Sequence, residues 1–224
     1  QQIVTDQKTG KVVNKYNIPR NPDGSFDVFG GGMFDAMFGD HRSLEEKIAD
    51  GEAGDEETME NLAMLYLNGG LEADPDPEKA AYWFGKLAEE QNSDAQFNLG
   101  LLYAKGHGVA RDFTKAAYWM EQAAKNGDTD APPLVEKYRK AEAAQKKLPT
   151  GDAQAQADLA GVLMSLAGAL EQTGKEKDYA EAFELAQKSS AQNNGDGLWA
   201  LALAYQHGRG VEQNEQKAIE CYRK

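Results

Sequence analysis

A single cysteine, Cys221, among 224 residues leaves no intramolecular disulfide framework and no pair of thiols for a metal knot. Histidine is equally scarce. His41, His107 and His207 are the three present, and none belongs to an HExxH or other metal-ligating spacing. No stretch approaches the roughly 18 consecutive apolar residues that a membrane-spanning helix needs. There is no Gly-x-Ser-x-Gly, and Gly30-Gly31-Gly32 is not followed by the Lys-Ser/Thr of a phosphate loop. Asp74, Asp76 and Glu78 lack the glycine and spacing of a calcium loop. No catalytic residue, cofactor or metal is therefore expected. Basic charge is also short, with 24 Lys+Arg against 37 Asp+Glu and a formal net charge of −13. Such a surface repels phosphate backbones and anionic headgroups, which excludes nucleic acid and membrane surfaces as expected partners.

Apolar residues make up 41% of the chain and aromatics 9%, enough to bury a core. The charge is uneven. Residues 1–43 hold five acidic and five basic groups, residues 44–94 fifteen and three, and residues 95–224 seventeen and sixteen. The imbalance is thus a local acidic surface rather than a general solubility device. The chain opens Gln1-Gln2 without an initiator Met, which suits a cleaved export signal or a trimmed piece. A periplasmic or secreted location is the expectation, with the cytoplasm as the alternative.

The chain repeats itself. Leu99, Tyr103, Gly106, Gly108, Val109, Asp112, Lys115 and Ala116 recur as Leu201, Tyr205, Gly208, Gly210, Val211, Asn214, Lys217 and Ala218. An earlier copy runs through Leu62, Tyr66, Asp76, Lys79, Ala80 and Trp83, and a weaker one has Gly174, Asp178, Ala182 and Leu185. The spacing describes a two-helix unit repeated four times, with an insertion between the second and third copies. In the first helix Ala95, Leu99, Leu102 and Tyr103 form one apolar stripe. The Gly-x-Gly pair then ends it, because glycine takes positive φ without cost. Asp76, Asp112, Asp178 and Asn214 fall in one column where a side-chain oxygen caps the second helix. That helix buries Ala116, Trp119 and Ala123, and the small alanine column lets two helix backbones approach closely.

These residues, and LGLLYAKGHGVARDFTKAAYWMEQAAKNGD above all, resemble the Sel-one-like repeat, a helix-pair relative of the tetratricopeptide repeat. The resemblance covers about residues 57–130 and 153–224. It departs where the third copy lacks the Tyr and first Gly, where Cys221 replaces Trp, and where the fourth copy stops mid-helix at Lys224. That stop suits a cut chain or a short terminal helix. The resemblance implies an all-α, right-handed α-α superhelix that binds or scaffolds other proteins, and it implies no chemistry.

The expected organisation is an N-terminal extension over 1–43 and a solenoid over 44–224. Its repeats lie at about 57–93, 94–130, 153–195 and 196–224, with a helical insertion over 131–152. Residues 3–29 read as a small hairpin or an extended segment. Met33, Phe34, Met37 and Phe38 stand at helical spacing, as a helix that caps the first repeat, fills the chain's own groove or meets another molecule. Residues 43–52 and 153–172 read as helices, as does 134–148, which carries five basic and two acidic groups.

A solenoid presents a concave face lined by the first helix of each pair. Opposite the core stripe lie Phe97 and Leu101, aligned with Glu60 and Met64 in the first copy and Trp199 and Leu203 in the fourth. Such a row binds a peptide or partner helix, or else packs between neighbouring first helices. Asn61 and Asn98 share a column suited to holding an extended backbone, or simply to solvation, and the fourth copy has Ala200 there. The expected function is a non-catalytic adaptor that takes a peptide or partner domain on this face. The alternative is an inhibitor that masks a basic partner with the acidic residues Glu56, Glu57 and Glu60. The chain is expected to be a monomer or weakly self-associating, its acidic repeat meeting a neighbour's basic helix. Cys221, in a slot filled by Trp elsewhere, is expected to be an inert core thiol.

Overall fold

A computed structural model of the protein describes residues 4–5, 12–14, 42–70, 72–168 and 175–224. The chain forms two compact units, Gln1–Lys47 and Ile48–Lys224. In the first, β1 (Val4–Thr5) and β2 (Val12–Asn14) pair antiparallel, with Val4 opposite Asn14 and Thr5 opposite Val12 across a register irregularity. The residues between the two strands, and the rest of the 3–29 segment expected to form a hairpin or lie extended, are outside the described residues. The apolar stretch 33–38 and the glycine break 30–32 lie outside the described residues.

Ten α-helices follow among the described residues. They are α1 (Leu44–Glu52), α2 (Glu56–Asn68), α3 (Pro77–Glu89), α4 (Ser93–Lys105) and α5 (Phe113–Lys125). Then come α6 (Ala131–Lys147), α7 (Ala153–Gly168), α8 (Lys175–Ser190), α9 (Gly195–His207) and α10 (Glu215–Tyr222). The pairs α2/α3, α4/α5, α7/α8 and α9/α10 are the four repeats of an all-α solenoid. Helix α6 is the insertion. At the start of α1, Ser43 and Glu46 form a reciprocal capping box. At its end, Glu52 accepts hydrogen bonds from Tyr82 and Lys86 on α3 and so ties α1 to the first repeat.

Caps place the helices. Asp76, Asp112 and Asn214 each accept from the backbone N–H three residues on, at 3.2, 3.0 and 2.9 Å. A second column, not singled out in the sequence, caps the first helices: Asp55, Asn92, Asp152 and Asn194 accept at 2.7–2.9 Å. Asp178 departs from its column. Helix α8 starts at Lys175, so Asp178 lies within the first turn, 2% exposed, and its carboxylate pairs with Arg111 of the second repeat. Arg111 also reaches Glu181 at 3.1 Å. Repeats two and three therefore touch directly at this corner, although 24 residues of inserted chain separate their matched segments.

The aligned alanines Ala80, Ala116, Ala182 and Ala218 are all buried, as the close approach of helix backbones requires. The lysine and tyrosine columns also find a cause. Lys79, Lys115 and Lys217 lie 4.9, 5.0 and 5.1 Å over the rings of Tyr66, Tyr103 and Tyr205, so each clips the two helices of its own repeat. Tyr66 is buried, while Tyr103 is half-buried rather than core. Trp83 is buried, whereas Trp119 and Cys221 in the equivalent slot are half-buried, so the thiol is not a core thiol. Burial still raises its pKa and keeps it protonated.

Helix α6 shares the core. Tyr138 stacks on Phe113 at 6.3 Å between centroids, and one apolar cluster runs from α4 through α6 and α7 to α9. Its charges are largely satisfied at home. Arg139 pairs with Glu121 and Glu142, Lys146 with Glu142, and Lys140 with Asp158 at 2.9 Å. Glu142 is held down to about 2 by hydrogen bonds from Lys146, then Arg139, against a desolvation cost.

Gly108 has φ +71° and a Cβ there would fall inside van der Waals distance of the Pro77 carbonyl; Gly210 meets Tyr179 in the same way. Gly108→Ala should cost at least about 2 kcal/mol by urea unfolding, while Gly161→Ala on α7, where a Cβ meets nothing within 4 Å, should stabilise by about 0.5–1 kcal/mol. Unfolded Glu142 takes up its proton near 4.5 and folded Glu142 only near about 2, so its contribution is full above 4.5 and fades as pH falls toward about 2. Glu142→Gln should lower stability by up to about 1 kcal/mol at neutral pH, with the melting curves of variant and wild type converging as acid is added across that window.

Candidate functional site

Helix α7 is almost entirely apolar or small, because it is flanked by α6 on one side and α9 on the other, with α8 beneath. Its outward positions are Gln154, Asp158, Gly161 and Ser165, and at Gly161, where no side chain rises, the flanking helices border a groove of about 380 Å³. Ala157, Gly161 and Val162 line the α7 side. Lys137 and Lys140 come from α6, and Asp196, Trp199 and Ala200 from α9. A smaller cleft of about 140 Å³ continues past Lys140 and Asp158 toward Gln154 and Lys147.

The polar groups on this face are organised. Gln154 donates to Asp158 and to Asp196, both at 2.8 Å, and accepts from Asn194 at 3.0 Å. Asp158 also pairs with Lys140. Both groove carboxylates thus have donors. Lys137 differs: its ammonium donates to the Ser165 hydroxyl at 2.6 Å, and among the described residues no carboxylate pairs with it. Burial alone lowers its pKa. Trp199 is 58% exposed, high for so large an apolar side chain.

The residues singled out in the sequence separate in space. Trp199 lines the groove. Leu203, one turn on along α9, is half-buried. Phe97 and Leu101 on α4 are half-buried against the core cluster. Met64 on α2 is 42% exposed. Asn61 is exposed, while the Asn98 amide donates back to the Asp94 carbonyl of its own helix at 2.9 Å. Glu56, Glu57 and Glu60 are exposed on α2, the first two in its first turn, where negative charge favours the helix N-terminus. Lys137, Lys140, Asp158 and Asp196 were not singled out in the sequence. Lys137 and Lys140 stand three residues apart on the inserted helix, outside the repeat register that directed attention to the first helices. Gly161, alone in an alanine-rich helix, is the mark that a ridge is missing there.

Among the described residues no group of three or more His, Cys, Asp or Glu is placed to hold a metal. No helix there is long and apolar enough to cross a membrane.

The Sel1 repeat family model matches residues 57–92, 93–128, 153–194 and 195–224. The third match is six residues longer than the second, so the extra length between copies two and three lies partly within the third repeat itself. The ERAD-associated E3 ubiquitin-protein ligase component HRD3B of Arabidopsis thaliana is 40% identical over 79 residues, 34% of this chain and 12% of that protein. A crystallised protective antigen of uropathogenic Escherichia coli with an SLR fold is 21% identical, aligned over 80% of this chain and 47% of its own, with TM-score 0.40. A Sel1 repeat protein from Oxalobacter formigenes is 24% identical over 75% and 72% of the two chains, with TM-score 0.36. The chain therefore spans only a small part of the curated relative and about half of the first of these structures. Four family matches, on helices whose caps, alanines and loop glycines recur in register, together cover more than half of the sequence, and the chain belongs to the Sel1 repeat family, whose members mediate protein–protein interaction.

Proposed function

We propose that this protein is a non-catalytic adaptor that receives a segment of a partner protein in the groove between α6, α7 and α9. The observation that carries the reading is Trp199, exposed on the wall of a groove whose floor is left low by Gly161. An aromatic wall beside an apolar floor supplies the anchor around which interface energy concentrates, and the charged rim supplies orientation. The groove is built on three packed helices rather than on loops, so little ordering entropy is lost when it is filled. Masking of a basic partner by Glu56, Glu57 and Glu60 draws support only from their exposure.

The test separates the two surfaces. Quantitative affinity capture from the source cell, read by mass spectrometry, should compare wild type with Gly161→Phe, Trp199→Ala and the triple reversal of Glu56, Glu57 and Glu60 to Lys. Partners lost on Gly161→Phe and at least tenfold weaker on Trp199→Ala, but retained by the reversal, would support the groove; the opposite pattern would sink it. Helicity by circular dichroism should be unchanged in all three variants.

A further inference from the structure

Two lysines and two aspartates line the groove, and what it takes is specified by which of them is drawn from water without an opposite charge: Lys137 is half-buried, whereas Asp196 is exposed. Asp158 has Lys140 and Gln154, and Asp196 has Gln154. Lys137 has only a neutral hydroxyl. An ammonium drawn partly out of water beside an apolar floor, with no carboxylate paired to it among the described residues, is a vacant half of an ion pair. Resting on the adaptor reading above, we propose that the occupant is an internal segment of a partner protein with an Asp or Glu side chain next to a large apolar residue. The carboxylate meets Lys137 on the α6 wall and the apolar side chain lies over Gly161 against Trp199 on the α9 wall.

The rest of the groove agrees with this choice. A basic segment would meet Asp158 already paired with Lys140, and Asp196 exposed to water, where an ion pair contributes little. A wholly apolar one would bury Lys137 without a counter-charge, which disfavours binding. The chain's overall acidity does not oppose an acidic ligand strongly, because residues 95–224 carry seventeen acidic and sixteen basic groups and the excess belongs to 44–94. Across solvent, charges of the first repeat are largely screened beyond about 8 Å at physiological salt.

The experiment is a selection of random 12-residue peptides, displayed internally so that no free carboxyl terminus is offered, against the full chain, with Gly161→Phe as the counter-target. The expected result is enrichment of Asp or Glu beside Trp, Phe, Leu or Met. End-blocked versions of the enriched peptides should bind about tenfold more weakly when their acid is changed to the amide. The Lys137→Gln protein should lose that discrimination while still binding the amide peptide. Enrichment of basic or uncharged peptides overturns the acidic assignment and leaves the groove reading standing, as does discrimination that persists in Lys137→Gln. Peptides that bind only with a free C-terminal carboxylate overturn the side-chain assignment. No enrichment over Gly161→Phe overturns the groove reading and this one together.

Discussion

A carbonyl oxygen at the start of a second helix lies against the loop of the following repeat, with no room between them for a side chain. Pro77 and Gly108 meet in this way, and Tyr179 and Gly210 repeat the contact 102 residues later. The approach fixes how far one helix pair lies from the next. It then requires an alanine wherever two helix axes close to the same distance, which is why the column at 80, 116, 182 and 218 stays small and buried. The tyrosine–lysine clips and the aspartate or asparagine caps set the geometry within each pair, and the glycine contact joins pair to pair. Remove it and each repeat keeps its helices but loses its place.

The insertion is accommodated within that order without breaking it. Helix α6 packs on α5 and α7 and adds Tyr138 to the common core, yet Arg111 still reaches Asp178 beyond it. The inserted helix thus widens the face that carries α7 while the opposite corner stays joined. This asymmetry opens the groove: α7 is flanked by one helix that belongs to the repeat register and one that does not. The basic excess on α6, which in sequence suggested attraction to an acidic neighbour, is mostly absorbed by Glu121, Glu142 and Asp158 of the same chain. Self-association through that helix would have to displace those pairs.

The fold was legible in the sequence because its determinants are local and periodic. Gly-x-Gly, the capping acids and the alanine column each act within one turn or one contact, and four copies make them visible against a varied background. Asp178 was misassigned for an instructive reason. A capping column looks the same in sequence whether the helix begins after it or three residues before it, and only the early start of α8 turned a cap into a buried ion-pair partner. The site was less legible. Trp199 could be found from the repeat register, but Lys137 and Lys140 belong to a helix with no counterpart in the other repeats. Their meeting with α9 depends on how deeply α6 packs, which no local pattern encodes. Phe97 and Leu101 share Trp199's row in sequence and not its exposure, since their neighbours differ.

The excess negative charge and the groove occupy different parts of one chain: residues 44–94 hold the excess, and the groove is built from α6, α7 and α9. Long-range fields govern how fast two molecules meet, whereas short-range contacts govern how long they stay together. For a partner held in the groove as proposed, the two rates would draw on separate repeats. Substitutions in the first repeat would then act on arrival and those around Gly161 on residence, so that the lifetime of such a complex and its speed of assembly would be open to separate adjustment.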